Sequence, residues 1–229
     1  MNQHVLAPHV YWCLTDDHAV LLDTKREKYY GIHSQGLSVF LDHSDPGIES
    51  LPAETQRLIT RMRQAGVVIA SPDAVNSRPR TNYEHPTVPL IEGYVEERVS
   101  LRFRDGLLFL KAHIQAMFLL RFRRLDQIIR RLEKRRRSPR VSVNEDLSRL
   151  RVLVGKFRRL HPLLFSSREN CVRDSLALIE FLAAQGFAVT WLIGVHTRPF
   201  EAHSWVQQNG VVLNDSPGHV RRYTPILAA

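Results

Sequence analysis

Two cysteines in 229 residues are too few for the disulfide framework that holds small secreted domains together. Neither Cys13 nor Cys171 belongs to a CxxC pair, which argues against a zinc site built on thiolates. No metal and no cofactor is therefore expected. Residues Met1 to Asp17 lack a basic stretch followed by an apolar core, so no secretory signal is expected. Long apolar runs are missing too. The most apolar helical stretch, Gly106 to Leu120, is interrupted by Lys111, His113 and Gln115, whereas a membrane span needs roughly 20 mostly apolar residues. The expected location is the cytoplasm, with reduced thiols and no membrane partner. Internal repeats are also lacking.

Acidic residues are in the minority. The 23 Asp and Glu stand against 32 Lys and Arg, a net charge of +9, which favours an anionic partner: nucleic acid, a membrane surface or an acidic peptide. The chain length suits one large domain or two small ones, and the hydrophobic content of 44% is enough for a packed core.

Patterning divides the chain. Val10–Leu14, Ala19–Leu22 and Tyr29–Ile32 are aromatic and β-branched runs separated by the polar turns at Asp16-Asp17-His18 and Asp23–Arg26. They predict a three-stranded meander. A helix is expected from about Ser34, carrying Leu37, Val39, Phe40 and Leu41. A second runs from Pro52 in its first turn to Gly66 just past its end, with Leu58, Ile59 and Met62 as its apolar stripe. Val67 to Ile69 closes a small winged-helix-like unit over 1–75. A proline-punctuated linker is expected over 76–93. The remainder, 94–229, is expected to be helical over 94–160 and to carry the chemistry over 161–229. In the helical part Leu107, Leu110, Ile114, Phe118 and Phe122 recur at three- and four-residue steps, continued by Leu125, Ile128, Ile129 and Leu132. The expected fold class is α+β.

Ser166 and Glu169 have capping-box spacing and predict a helix through Cys171 that stops at Gly186. A cysteine in opening helical turns is biased towards the thiolate by the helix dipole and the unpaired amides. It still needs a proton acceptor that later becomes a donor, and an imidazole serves both roles when a third group fixes its tautomer. His196, His203 and His219 are the downstream candidates. Ala202–Gln207 and Val211–Asp215 read as a hairpin. A two-residue loop at Asn209-Gly210 would set His203 against Ser216. A three-residue loop, Gln208-Asn209-Gly210, would set it against Asp215 with Cβ atoms about 4.5–5.5 Å apart. The three-residue loop is the prediction, because it gives His203 its orienting carboxylate. Cys13, in a strand among apolar residues, reads as a small core residue. Trp205 reads as a core residue or a wall of the site.

The set Cys171–Leu178, Ile193-Gly194-Val195, Pro199-Phe200, Ala202–Val206 and Val212–Asp215 resembles the transglutaminase-like leader peptidases of lasso-peptide biosynthesis. The resemblance covers about the last 70 residues. The N-terminal stretch, with Asp23–Ile32, resembles the PqqD-like peptide recognition element. Together these imply a fused processing protein: a PqqD-type N-terminal domain followed by a transglutaminase/papain-like cysteine peptidase domain with a helical insertion before it. The resemblance implies Cys171 as nucleophile, His203 as base and Asp215 as orienting acid. It also implies that the leader of a precursor peptide adds as a strand beside Lys28, Tyr29, Tyr30, Gly31 and Ile32, against the helix of Leu58 and Met62. A separate ATP-dependent lasso cyclase is the implied second partner. The rival readings are a thiol acyltransferase using the same three residues, and a peptide-binding or nucleic-acid-binding adaptor without catalysis. Nucleic acid is not the expected partner, since the arginines crowd the middle helices and not the helix of 52–65.

Overall fold

A computed structural model of the chain describes residues 3–15, 18–33, 52–71, 88–89, 100–137, 146–163 and 170–229. The helix expected from Ser34 and the capping residues Ser166 and Glu169 lie outside the described residues. The fold is mixed α and β.

The meander forms as its pattern requires. Strands β2 (Val10–Leu14), β3 (His18–Asp23) and β4 (Lys28–His33) pair antiparallel in the order β2-β3-β4. Side chains alternate along a strand, and here both alternating sets are apolar. Trp12, Ala19, Leu21 and Ile32 enter a small core with Ile59 and Met62. Tyr11, Cys13, Val20 and Leu22 enter the main core of the chain, with Phe109, Ile128 and Leu227. Helix α1 (Ala53–Gln64) covers the first face, and Gly66 beyond it takes φ +64, a conformation that glycine adopts without strain. The first face is completed by a two-stranded ribbon: β1 (Gln3–Leu6), which sequence patterning did not single out, pairs with β5 (Val68–Ser71), which overlaps the closing run Val67–Ile69.

Within the stretch expected as a linker, β6 (Val88–Pro89) pairs in parallel with a strand near the C-terminus. Its proline sits at a sheet edge, where the missing N–H breaks no ladder.

The helical region begins with α2 (Phe103–Phe122) and continues in α3 (Leu125–Arg136) and α4 (Leu147–Leu160). The break between α2 and α3 comes at Arg123, with φ −127, where no glycine or proline marks it. The apolar spacing over 107–122 also reads differently in three dimensions. Leu107, Leu110, Ile114, Phe118 and Phe122 face outward, while Phe109, Ala112, Ala116 and Leu119 are the buried set. Two alanines on that inner face let α2 approach α5 (Cys171–Ala183) closely. Among the described residues no helix is long and apolar enough to cross a membrane.

The C-terminal sheet runs β10-β7-β8-β9-β6, with β7 (Thr190–Thr197), β8 (Phe200–Gln208), β9 (Val211–Val212) and β10 (Thr224–Ala228). A short helix α6 (Pro217–Val220) precedes β10. Helix α5 packs across β8. The β8–β9 loop corrects an expectation. Gln207 pairs with Val212 and Gln208 with Val211, so the loop is the two-residue Asn209-Gly210. Both of its residues have positive φ, 49 and 73. That is the left-handed pair that a type I′ turn requires, and its twist matches the flanking strands.

The two parts of the chain are joined by more than apolar contact. The turn between β3 and β4 caps α3: the backbone N–H of Leu125 donates to the Glu27 carboxylate at 3.1 Å and that of Asp126 to the Thr24 carbonyl at 3.1 Å. Orphan amides of a helix start thus find acceptors on the meander. On the other side of α3, Arg131 and Arg135 reach the buried Glu180 of α5 at 3.4 and 3.0 Å.

One close approach in the C-terminal sheet is testable. A Cβ at Gly194 would lie 2.8 Å from the Trp205 ring and 2.8 Å from Tyr223 Cβ. Overpacking of this kind costs about 1–3 kcal/mol. Gly194→Ala is expected to lower the unfolding free energy from urea titration by that amount, seen as a lower midpoint with little change in the slope, whereas Gly218→Ala, which meets open space, is expected to leave that free energy within about 0.5 kcal/mol.

Candidate active site

Cys171 is the first residue of α5 and follows Asn170, so the helix begins at the cysteine and not upstream of it. His203 lies on β8 opposite Gly194 of β7. Asp215 sits beyond β9, where the chain has already left the ladder. With the two-residue loop, strict continuation of the hairpin would have set His203 against Ser216. Instead the ladder ends, and Asn214 bends the chain. Its Oδ1 accepts from the Val206 N–H at 2.8 Å and its Nδ2 donates to Ser175 Oγ at 3.1 Å. Ser175 in turn donates to the Ser204 carbonyl at 3.1 Å. This network ties α5, β8 and the 213–216 segment together, and Asp215 Oδ2 comes to 2.5 Å from His203 Nε2.

That contact fixes the division of labour on the imidazole. Nε2 is committed to the carboxylate, which leaves Nδ1 for the Cys171 thiol, whose pKa His203 draws down. The Asp215 carboxylate is further held by the Ser216 N–H at 2.7 Å and by His219 Nδ1 at 2.9 Å. Trp205 lies roughly parallel to His203, with ring centroids 6.1 Å apart, and Tyr223 and His219 close round it at 5.1 and 4.8 Å.

The charges follow from these contacts. Burial pushes the Asp215 carboxyl up, but the hydrogen bonds from His203, His219 and the Ser216 amide outweigh it and hold the pKa down at about 2. Burial lowers His203, yet its bonds to Asp215 and Cys171 raise it to about 9. For Cys171 burial acts upward, and His203 together with the Ser204 and Val172 amides brings the thiol below its ordinary value. The group thus favours the thiolate form of Cys171 beside a protonated His203. Cys13 behaves oppositely: burial alone raises its thiol to about 12, as suits an inert core residue.

His196 is not part of this cluster. Its Nδ1 lies 3.2 Å from the Pro199 carbonyl, and it pairs across the sheet with Glu201. His219, a candidate by position only, does join, through a carboxylate shared with His203. Asn214 and Ser175 were visible as motif residues without a role; nothing in one-dimensional spacing reveals that Asn214 caps the end of a strand.

His203, Asp215 and His219 could also be viewed as a metal set, their ligand atoms lying within 4.8 Å of one another. Their separations of 2.5 and 2.9 Å are hydrogen-bonding distances. Ligands around a tetrahedral ion, each about 2.0–2.1 Å from it, would stand farther apart.

Cys171 lies between two cavities. One, of about 170 Å³, is lined mainly by apolar groups, among them Leu22 and Tyr29 of the meander and Ile193 and Ala202 of the C-terminal sheet. The other, of about 840 Å³, lies past Asp215 and includes Arg158, His161 and Asp174. Tyr29 is the link with the N-terminal part: it stands in the wall of the smaller cavity and meets Phe200 edge-on at 5.3 Å. Of the other meander residues singled out by sequence, Lys28 and Gly31 are exposed and Tyr30 is half-buried. Ile32 and Met62 belong to the small core, with Leu58 packed against it.

The thiol gives a direct reading. Alkylation of Cys171 by iodoacetamide, followed by mass spectrometry across pH, is expected to report a pKa below 9 in the wild type. His203→Ala is expected to move it upward, because burial is then opposed only by the Ser204 and Val172 amides. No shift on that substitution would mean that the imidazole does not polarise the thiol.

A family model of the transglutaminase-like superfamily matches residues 112–228, just over half of the chain. Among curated proteins, the microcin J25-processing protein McjB of Escherichia coli is 33% identical over 75 residues, which are 33% of this chain and 32% of that protein. The chain thus spans about a third of that relative's length in the match. No solved structure matches the chain.

Proposed function

The chain belongs to the transglutaminase-like superfamily, and from that premise we propose that it is a cysteine peptidase of lasso-peptide maturation, removing the leader of a precursor peptide. The family and the similarity to McjB point to a cysteine-peptidase-like role in that process. The observation that carries the reading is the Asp215–His203 contact at 2.5 Å, with His203 and Cys171 lining one cavity.

In the proposed reaction the Cys171 thiolate attacks the scissile carbonyl carbon. The electron pair moves onto oxygen, stabilised in part by the backbone N–H of Cys171 at the helix start. The tetrahedral species collapses as His203 donates its proton to the leaving amine, the new N-terminus of the core peptide. A thioester to the leader remains. Water then attacks it, His203 takes the proton, and the leader acid leaves as Cys171 is restored. Asp215 keeps the imidazole in one orientation throughout. A thiol acyltransferase would run the first half alike and deliver the acyl group to an amine.

The leader would be held by the PqqD-type unit within 1–75, joined through 76–93 to the peptidase part of 94–229. Among the described residues β4 has a neighbouring strand on one side only, and strand addition there supplies main-chain hydrogen bonds. Tyr29 lies on that strand and in the wall of the cavity beside Cys171. A leader paired with β4 therefore has a short path to the thiol. A separate ATP-dependent cyclase would use the freed amine.

The test is mass spectrometry of a lasso precursor encoded beside this chain's own gene, incubated with wild type and with Cys171→Ala. Cutting at one bond by wild type alone is expected, with a free leader acid as product. A leader joined to an added amine would mark an acyltransferase. Binding without cutting by either protein would leave a recognition adaptor.

A further inference from the structure

The outward face of α2 has no role in the reaction proposed above, and it is the largest apolar feature left uncovered among the described residues. Phe103, Leu107, Leu110, Ile114, Met117 and Phe118 are between 45% and 84% exposed, while the opposite face of the same helix is buried against α5. Their order is specific. The first five recur at alternating steps of four and three along the helix, the period of a heptad seam. The stripe runs roughly 20 Å at 1.5 Å per residue. Seams of this kind are the narrow form of helix amphipathicity and pack against another helix at a shallow angle, knobs into holes.

The flanks say what that helix must carry. With Leu107 and Ile114 at one core position and Phe103, Leu110 and Met117 at the other, Arg104 and Lys111 occupy the flanking position that faces a partner's charges. Arg121 follows as the next core position, its guanidinium 5.5 Å from the Phe122 ring. Neither arrangement of a second copy suits this pattern. A parallel pair would set Arg121 against its own counterpart in the seam. An antiparallel pair would set the Arg104 and Lys111 row against itself. A lipid surface asks for a helix with a strongly charged face opposite the apolar one, whereas the opposite face of α2 is apolar and packed against α5.

We propose that the outer face of α2 is the docking site for an amphipathic helix of another protein, with an apolar seam and acidic flanks. The seam ends beside the candidate active site. Leu120 and Arg123, at the C-terminal end of α2, line the cavity that holds Cys171. A partner seated there would stand next to the cavity beside Cys171.

The probe is a synthetic 21-residue helical peptide with leucine at its seam positions and glutamate at its flanks, compared with the same peptide bearing lysine at the flanks. Fluorescence anisotropy with the full chain is expected to give saturable one-to-one binding, at least about fivefold tighter for the glutamate peptide. Leu110→Glu with Ile114→Glu is expected to weaken it at least about tenfold, because two seam knobs become charges. The melting temperature and the Cys171 alkylation rate are expected to stay unchanged. Lys111→Glu is expected to narrow the preference between the peptides. Equal binding of both peptides, or of neither, overturns the proposal. So does binding to phosphatidylglycerol vesicles that Leu110→Glu abolishes while the peptides fail, which would make the face a membrane contact. Concentration-dependent self-association lost in Leu110→Glu would assign it to a second copy and overturn the proposal as well.

Discussion

A sheet whose two alternating faces are both apolar must be covered twice, and the β2-β3-β4 meander imposes that constraint on the rest of the chain. One cover is α1 with the β1–β5 ribbon. The other is the main core itself, which takes in Tyr11, Cys13, Val20 and Leu22. The second cover comes from outside the meander, so burial of these side chains joins it to the helices and the C-terminal sheet. Burying one such side chain is worth about 1.5–3 kcal/mol. Four on one face outweigh the screened contacts at the periphery. The polar links at Glu27 and Thr24 then set the angle: they fix the β3–β4 turn on the first amides of α3, which leaves Tyr29 facing the cavity of Cys171.

The electrostatics of the site depend on that enclosure. In water an imidazole and a thiol form no lasting ion pair. Here the carboxylate of Asp215 is held by several donors and stays ionised down to about pH 2, and the neighbouring imidazole keeps its proton up to about pH 9. The signs can be followed through folding. His203 is raised above its ordinary 6.5, so its contribution to stability is complete below that value and is lost as pH rises towards 9. Asp215 is depressed, so its contribution is present above 3.8 and is lost as pH falls towards 2. Between these limits the two reinforce each other. The shared acceptor also brings His219 into the group. Its bond to Asp215 uses part of the carboxylate's capacity and steadies its orientation, a positioning task separate from proton transfer.

Much of this was legible in the sequence where local pattern decides local structure. The meander, the helix from Pro52 to Gly66 and the presence of a hairpin between Ala202 and Asp215 follow from aromatic and β-branched runs and from the positional habits of proline and glycine, although the hairpin loop is the two-residue Asn209-Gly210 and not the three-residue loop expected. What failed to read out was set by tertiary context. The β1–β5 ribbon joins segments far apart in sequence. The break at Arg123 has no turn residue, and the cap that starts α3 comes from Glu27 and Thr24. The stripe over 107–122 has a perfectly good helical period, yet period alone cannot say which of two apolar faces goes inward. Alanines at 112 and 116 decide that, because a small-residue face approaches α5 where a face of leucine and phenylalanine cannot.

The hairpin is the most instructive case, since the expected pairing of His203 with Asp215 arises by a route other than the one the register suggested. A three-residue loop would have delivered the carboxylate by strand alternation alone, as a consequence of the ladder. The two-residue loop denies that route and instead ends the ladder early. Leu213 still donates to the Val206 carbonyl at 2.9 Å, while the Val206 N–H turns to a side-chain amide, Asn214 Oδ1, at 2.8 Å. Cutting the strand short frees the following residues to turn into α6, whose first turn brings His219 and the Ser216 amide onto the same carboxylate. A strand continued from a three-residue loop could have offered Asp215 one imidazole across the sheet. The bend offers it three donors, and those donors keep its pKa near 2 despite burial.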